Sequence, residues 1–354
     1  MKTGVQVFFQ SIPGMTDFEV LEQELAIALR AEELGFDYVL SPEHHFVNYS
    51  IAPDPLQFLT YVAGRTSRIG LVTGAVILPW NDPVRVAEKA SLLDFLSDGR
   101  LVLGFGRGLA RVEYETFGID MGEARGRFDE AAPMIVEALR TGYMSGPGPF
   151  YPHEKTPIRP YPARSFDGRI ISVARSDESA AAAADIGASL VFIVQKPIEE
   201  HMPMVNIYRD RYREVHDSEP PLPWLIDFTY VHEDEGEAER VAHEYMQRYY
   251  VSVLQHYEYG GAHLAETKGY ESYAEGAKLI QELGLEESAR RFVAVNNYGT
   301  PDQVVERVRQ RRAVIGDYVA LFGPSFGGLE YEKVFDSCTL LGEKVLPAIA
   351  SMSD

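Results

Sequence analysis

The stretch IGLVTGAVILPWNDPVRVAEKASLLDFLSDGRLVLG, residues 69–104, contains the repeating unit of the whole chain. Ile69 to Leu78 is an apolar run rich in β-branched residues, Pro83 to Ser97 has helical spacing, and Leu101 to Gly104 is apolar again. Two strands joined through a helix run parallel, because a tight turn cannot connect them in that sense. The same alternation recurs outward in both directions. Further strands are expected at Val5 to Phe9, Tyr38 to Ser41, Ile170 to Val173, Leu190 to Val194, Trp224 to Val231 and Tyr318 to Phe322. Helices are expected at Asp17 to Leu34, Arg125 to Arg140, Ser179 to Gly187, Pro197 to His216, Glu235 to Val253, Pro301 to Ile315 and Glu330 to Ile349. Eight βα units without a Gly/Ser/Pro-rich linker favour a single (β/α)8 TIM barrel spanning residues 1–354 over a doubly wound sheet. The surplus length falls in two insertions, at about 143–169 and 256–295, read here as long loops of the kind that cover sites.

Composition narrows the partners. With 354 residues, 45% of them hydrophobic, the chain has ample material for a core. A formal net charge of −20 argues against a nucleic-acid surface, which needs clustered Lys and Arg. The single cysteine, Cys338, cannot form an internal disulfide, and MKTGVQVFFQSIPG carries no long apolar segment. A reducing cytoplasm and no membrane are therefore expected.

In a TIM barrel the chemistry gathers at the carboxyl ends of the strands. SPEHHFVNYS, residues 41–50, places Glu43, His44 and His45 just past the second strand. Thr73, Gly74 and Ala75 lie late in the third, Arg107 follows the fourth, and Ala174, Arg175 and Ser176 follow the fifth. The histidine pair also has a plainer reading as surface or core residues. No metal is expected, since adjacent histidines tend to diverge and no second ligand cluster is evident. GFGRG, residues 104–108, lacks the full dinucleotide-binding spacing and reads equally as a tight turn. Arg107, Arg125 and Arg175 taken singly are solvated charges. Two of them past strand ends suggest an anion such as a phosphate, met by guanidinium forks and by amides at the start of the helix after Ser176.

SPEHHF, VTGAVILPWNDPVRVAEKASLLDFLSDGRLVLGFGRG, FGIDMGEARGRF, SVARSDES, ETKGY and NYGTPDQV, in that order, resemble the bacterial luciferase-like flavin-dependent monooxygenases. The similarity spans almost the whole chain and is greatest toward the luciferase alpha subunit. The resemblance implies a (β/α)8 barrel that receives reduced FMN from a separate flavin reductase. It implies reaction with O2 through a C4a-peroxyflavin and a homodimer, or a heterodimer with a related subunit, paired through helices that include Pro83 to Ser97. Carried over by position, His44 matches the catalytic histidine, with Glu43 and His45 its neighbours; Glu43 is expected to fix the orientation of His44. Gly74-Ala75 matches a pair whose unusual peptide bond supports the isoalloxazine ring. Arg107, Arg125, Ser176 and Ser179 match the positions that grip the FMN phosphate, flanked by Gly106, Ala174 and Arg175. The insertion at 256–295 matches a lid that excludes water.

The departures also carry information. Gly106 stands where luciferase has a reactive cysteine, Arg175 where it has a glutamate, and Val194 where a tryptophan lies near the ring. These speak against luminescence and a long-chain aldehyde. An apolar or aromatic carbonyl or phenol-like substrate is expected, with Tyr249, Tyr257, Tyr259, Tyr270, Phe46 and Trp80 as candidate lining. Two other readings stay open: a deazaflavin-dependent oxidoreductase on the same barrel, and a non-catalytic flavin-binding subunit.

Overall fold

The computed structural model describes residues 1–353 other than 260, 268 and 269, so two residues of the ETKGY segment, Lys268 and Gly269, lie outside the described residues. Eight parallel strands close into a barrel: Thr3–Gln6, Tyr38–Ser41, Gly70–Thr73, Leu101–Gly106, Ile170–Val173, Ser189–Ile193, Trp224–Val231 and Val319–Gly323. Each pairs with the next, and the last pairs with the first, Phe322 opposite Val5. The eight are the strands expected from sequence.

Alternation along the strands divides two cores. Leu40, Val72, Val102, Ile171, Val191, Trp224, Ile226 and Leu321 point inward and fill the barrel. Their neighbours Val39, Leu71, Leu103 and Leu190 point outward and pack under the helices. At the amino-terminal end Tyr38 and Trp224 close the interior, their ring centroids 4.8 Å apart. The opposite end stays open as the mouth.

Helix boundaries follow local chemistry. Asp17–Glu33 starts at a capping box between Thr16 and Glu19. Pro83–Leu96 starts with Pro at its first turn beneath an Asp82 carboxylate that accepts from Val84 and Arg85 amides. Gly104 is required by a close approach: a Cβ there would lie 2.0 Å from the Thr73 carbonyl oxygen.

Several expectations are revised. The first strand ends at Gln6, not Phe9, and Phe9 has a positive φ of 60°. The run Ile69 to Leu78 is not one strand. It stops at Thr73, passes through a cis Gly74–Ala75 peptide, pairs briefly as Val76–Ile77 with the fourth strand, and ends in a 3-10 turn at Leu78–Trp80. A continuous apolar run carries no mark of such a break. The insertion at 143–169 holds an antiparallel hairpin, Tyr143–Gly146 with His153–Pro157. The insertion at 256–295 is largely helical, with helices Ala262–Glu266, Glu271–Leu283 and Leu285–Val295 in place of a loop. The last of these buries Ala289, Phe292 and Val293 at helical spacing, which is what folds it. Among the described residues no helix is long and apolar enough to cross a membrane.

Candidate functional site at the barrel mouth

The loop after the second strand sends its three polar side chains in different directions. Glu43 is buried and accepts from four N–H donors: Trp80 Nε1 at 2.6 Å, Asn81 Nδ2 at 2.8 Å, Ile77 N at 3.0 Å and His45 Nε2 at 3.2 Å. It therefore anchors the segment behind the Gly74–Ala75 peptide, and among the described residues no hydrogen bond joins its carboxylate to the His44 ring. The His45 ring packs between Phe46 and Phe117, at 5.3 and 4.8 Å.

His44 turns the other way. Its Nδ1 donates to Glu113 Oε1 at 3.1 Å, and its Nε2 lies 3.5 Å from the Tyr257 hydroxyl. Glu113, not Glu43, is thus the carboxylate that orients His44. Helix Arg111–Phe117 begins at the mouth directly after the fourth strand and its turn, and Glu113 stands in its first turn. That position was the available signal: a carboxylate opening a helix that starts at the catalytic end. Glu113 also accepts from the His45 amide at 2.9 Å. Burial raises the Glu113 carboxyl, but the charge and hydrogen bond of His44 outweigh it and hold the group below its ordinary range.

A second imidazole completes this wall. His256 stacks on Tyr49 at 4.2 Å and 11° and stands edge-on to His44 at 5.1 Å. Burial, reinforced by the neighbouring His44, pushes it down to about 3, so it is neutral. Sequence reasoning passed over both Glu113 and His256.

Glu43, His44, Gly74, Ala75, Gly106, Arg107, Arg175 and Ser179 border one cavity of about 160 Å³. Tyr49, Tyr249, Val253, Tyr257 and Tyr273 face it from the other side. Gly106 is flat wall, since a Cβ there would lie 2.7 Å from Ile77 Cδ1 and 3.2 Å from Ala75 Cβ. Val194 does not reach this space; strand alternation buries it in the outer core and presents Ile193 and Gln195 instead. Phe46 is exposed, and Trp80 packs on Phe117 behind the wall.

Arg107 and Arg175 stand at the rim, whereas Arg125 and Ser176 are not among the residues that border the cavity. The Arg107 guanidinium lies 4.2 Å over the Tyr270 ring, and that of Arg175 lies 4.8 Å over Tyr273. Arg125 is mostly buried, reaches Glu178 at 3.3 Å and Asp129 at 3.4 Å, and leaves Nη2 without a hydrogen bond among the described residues. Ser176 caps helix Asp177–Asp185, and Ser179 Oγ accepts from the Arg175 and Ser176 amides at 3.1 and 2.9 Å. Those two amides are already satisfied by the serine, so an anion there meets the guanidinium groups first. Ala174 is buried behind the rim.

Comparison with known proteins bears on the family and the fold. The family model described as luciferase-like monooxygenase matches residues 1–318. The alkanal monooxygenase alpha chain of Photobacterium leiognathi is 28% identical over 98% of each chain. The oxygenase component of a flavin-dependent trigonelline monooxygenase from Acinetobacter baylyi is 27% identical over 95% of this chain and 91% of its own. Among solved structures, monooxygenase RslO1 from Streptomyces bottropensis superposes with a TM-score of 0.78 at 27% identity, covering 98% of this chain and 99% of its own. An F420-dependent secondary alcohol dehydrogenase shares the fold, with a TM-score of 0.72 at 16% identity over 99% of each chain.

Proposed function

The chain belongs to the luciferase-like monooxygenase family of flavin-dependent oxidoreductases, and we propose that it is the oxygenase component of a two-component system. In this reading it takes reduced FMN from a separate reductase and, through the C4a-peroxyflavin, transfers oxygen to an apolar or aromatic organic substrate. The observation that carries it is the His44–Glu113 pair bordering a cavity with a glycine wall and an arginine rim. The residues fit the cofactor. Gly106 and the Gly74–Ala75 pair leave a flat face against which an isoalloxazine ring can lie. Arg107, Arg125 and Arg175 supply guanidinium groups for a phosphate, and Arg125 has a buried nitrogen still to be bonded.

Bound flavin would supply the oxygen chemistry. The chain's own part is to hold a proton at the right place and keep water out. His44 exchanges the proton, and Glu113 fixes the imidazole with Nε2 facing the cavity beside Tyr257. Tyr49, Tyr249, Tyr257 and Val253 give the substrate side an aromatic and apolar lining with hydroxyl edges, which supports a phenol-like or carbonyl substrate. The chain would act as one domain in the cytoplasm. Pairing through helix Pro83–Leu96 is supported by Phe95 and Leu96, which are 63% and 53% exposed.

The test is stopped-flow absorbance on mixing the protein and photoreduced FMN with oxygenated buffer, for wild type and His44→Ala. A transient near ~380 nm in the wild type, as the cofactor-driven scheme requires, supports the proposal. Simple flavin reoxidation in both proteins sinks it, and tight deazaflavin binding by the same protein would then favour hydride transfer.

A further inference from the structure

We propose that His44, Glu113 and His256 form a binding site for a divalent transition metal, Zn2+ in the first instance, at the edge of the candidate active site. Their ligand atoms all lie within 4.8 Å of one another. Two imidazoles and a carboxylate are a donor set that zinc accepts with one position left open for water. Tetrahedral zinc with bonds of ~2.05 Å places neighbouring ligands about 3.3 Å apart. His44 Nδ1 and Glu113 Oε1 already stand at 3.1 Å, where the ion would replace the shared proton. His256 needs a shift of at most about 1.5 Å to join them.

The independent observation is the state of His256. It is 8% exposed, and neither ring nitrogen has a hydrogen-bond partner among the described residues. Buried polar groups are almost always bonded, so an imidazole with two idle nitrogens beside a carboxylate points to a missing ligand. Its stacking on Tyr49 fixes the ring plane without using a nitrogen. An entry path exists: a second cavity of about 520 Å³, bordered by Ser11, Asn48, Ser252 and His256, reaches this group from outside. His44 and His45 do diverge, as adjacent histidines should; the second and third ligands come from distant segments.

A bound ion would occupy the His44 lone pair and stop its proton exchange, giving reversible inhibition by Zn2+. That consequence rests on the function proposed above; the binding itself does not.

The test is titration of the flavin-free, full-length protein with Co2+, followed by displacement with Zn2+. Expected are one ion per chain, the visible d–d absorption of a four- or five-coordinate site, and more than tenfold weaker binding in both His256→Gln and Glu113→Gln, since loss of a ligand should exceed the 10–100-fold typical of an outer partner. Binding unchanged in both variants, or only the weak spectrum of an octahedral ion, means an adventitious ion only and overturns the proposal. Should either variant fail to fold, the zinc K-edge spectrum of the wild type decides, because fewer than two imidazole ligands is equally fatal. If the ion binds as expected but the metal-free protein never oxygenates anything, the proposed function fails and the site stands.

Discussion

Replacing Glu43 by alanine should loosen the mouth without first disturbing His44. The carboxylate gathers four N–H donors, from Trp80, Asn81, Ile77 and His45, at 2.6 to 3.2 Å. Hydrogen bonds to a charged acceptor are each worth about 1.5–3 kcal/mol, and their simple sum, about 6–12 kcal/mol, would rival the whole stability of a typical domain. Water can enter from the adjoining cavity and the segment Ile77 to Asn81 can relax, so the cost is closer to the ~3–5 kcal/mol of removing one partner from a buried charged group. The chain has two tryptophans, which separate local from global effects. Trp80 donates its indole N–H to Glu43, whereas Trp224 is buried at the closed end of the barrel. In guanidinium titrations followed by fluorescence, Glu43→Ala should lower the unfolding midpoint and red-shift Trp80 already in the native baseline. The double variant Glu43→Ala/Trp80→Phe should lose that native shift and keep the lower midpoint. A wild-type midpoint together with unchanged native emission would refute the assignment of Glu43 as the anchor of this segment.

Glu113→Gln keeps an acceptor for His44 but removes the charge, so oxygenation should fall roughly tenfold or more, part of the ~10²–10⁴ that a positioned acid–base group contributes; its melting temperature should stay near that of wild type, and equal turnover would sink the orienting role. Arg125→Ala should weaken FMN binding by about 10–100-fold, equivalent to one charge-assisted bond, and leave riboflavin affinity unchanged; equal losses for both ligands would place Arg125 outside the phosphate site. Glu32 accepts from the Ser67, Arg68 and Ile69 amides, and although burial opposes it, these bonds hold the carboxyl below its ordinary value. A depressed folded value means stability that is present above the unfolded value of about 4.3 and is lost as pH falls through the folded one. Glu32→Gln should therefore cost about 1 kcal/mol at neutral pH, discounted for exposure, and flatten the acid limb; an unchanged limb would count against it.

Much of this was legible because the signal was local. Short continuous apolar runs marked all eight strands, since each strand buries both faces and must be apolar to do so. His44, Gly74, Gly106 and the arginines were found because strand ends and family motifs fall in short windows. Glu113 was not, as its partner lies 69 residues away and a first-turn glutamate is also an ordinary helix start. His256 was hidden for the same reason, in a segment read as loop although it ends helix Gln247–His256. The expected lining by Val194 failed on a parity of one residue, which strand ends decide and apolar runs do not.

The rim joins two demands on the same side chains. Arg175, read as an anion ligand, is covered by Tyr273 at 4.8 Å and reaches Tyr259 at 5.9 Å, both rings belonging to the insertion. A cation–π contact is worth about 0.5–2 kcal/mol, whereas a guanidinium–phosphate bond is worth about 1.5–3. A phosphate should therefore win the arginine and release the rings, so cofactor loading and the position of the insertion are linked, and part of the binding energy is spent on moving the tyrosines. Tyr273→Leu removes the competitor and should tighten FMN binding by roughly threefold to tenfold, the upper part of that cation–π range being shared with Tyr259. Riboflavin, lacking the phosphate, should show no gain. Calorimetric titration with both ligands separates the cases: tighter FMN binding alone supports competition for Arg175, while weaker FMN binding means that Tyr273 stays on the arginine in the loaded state and helps to hold it toward the anion.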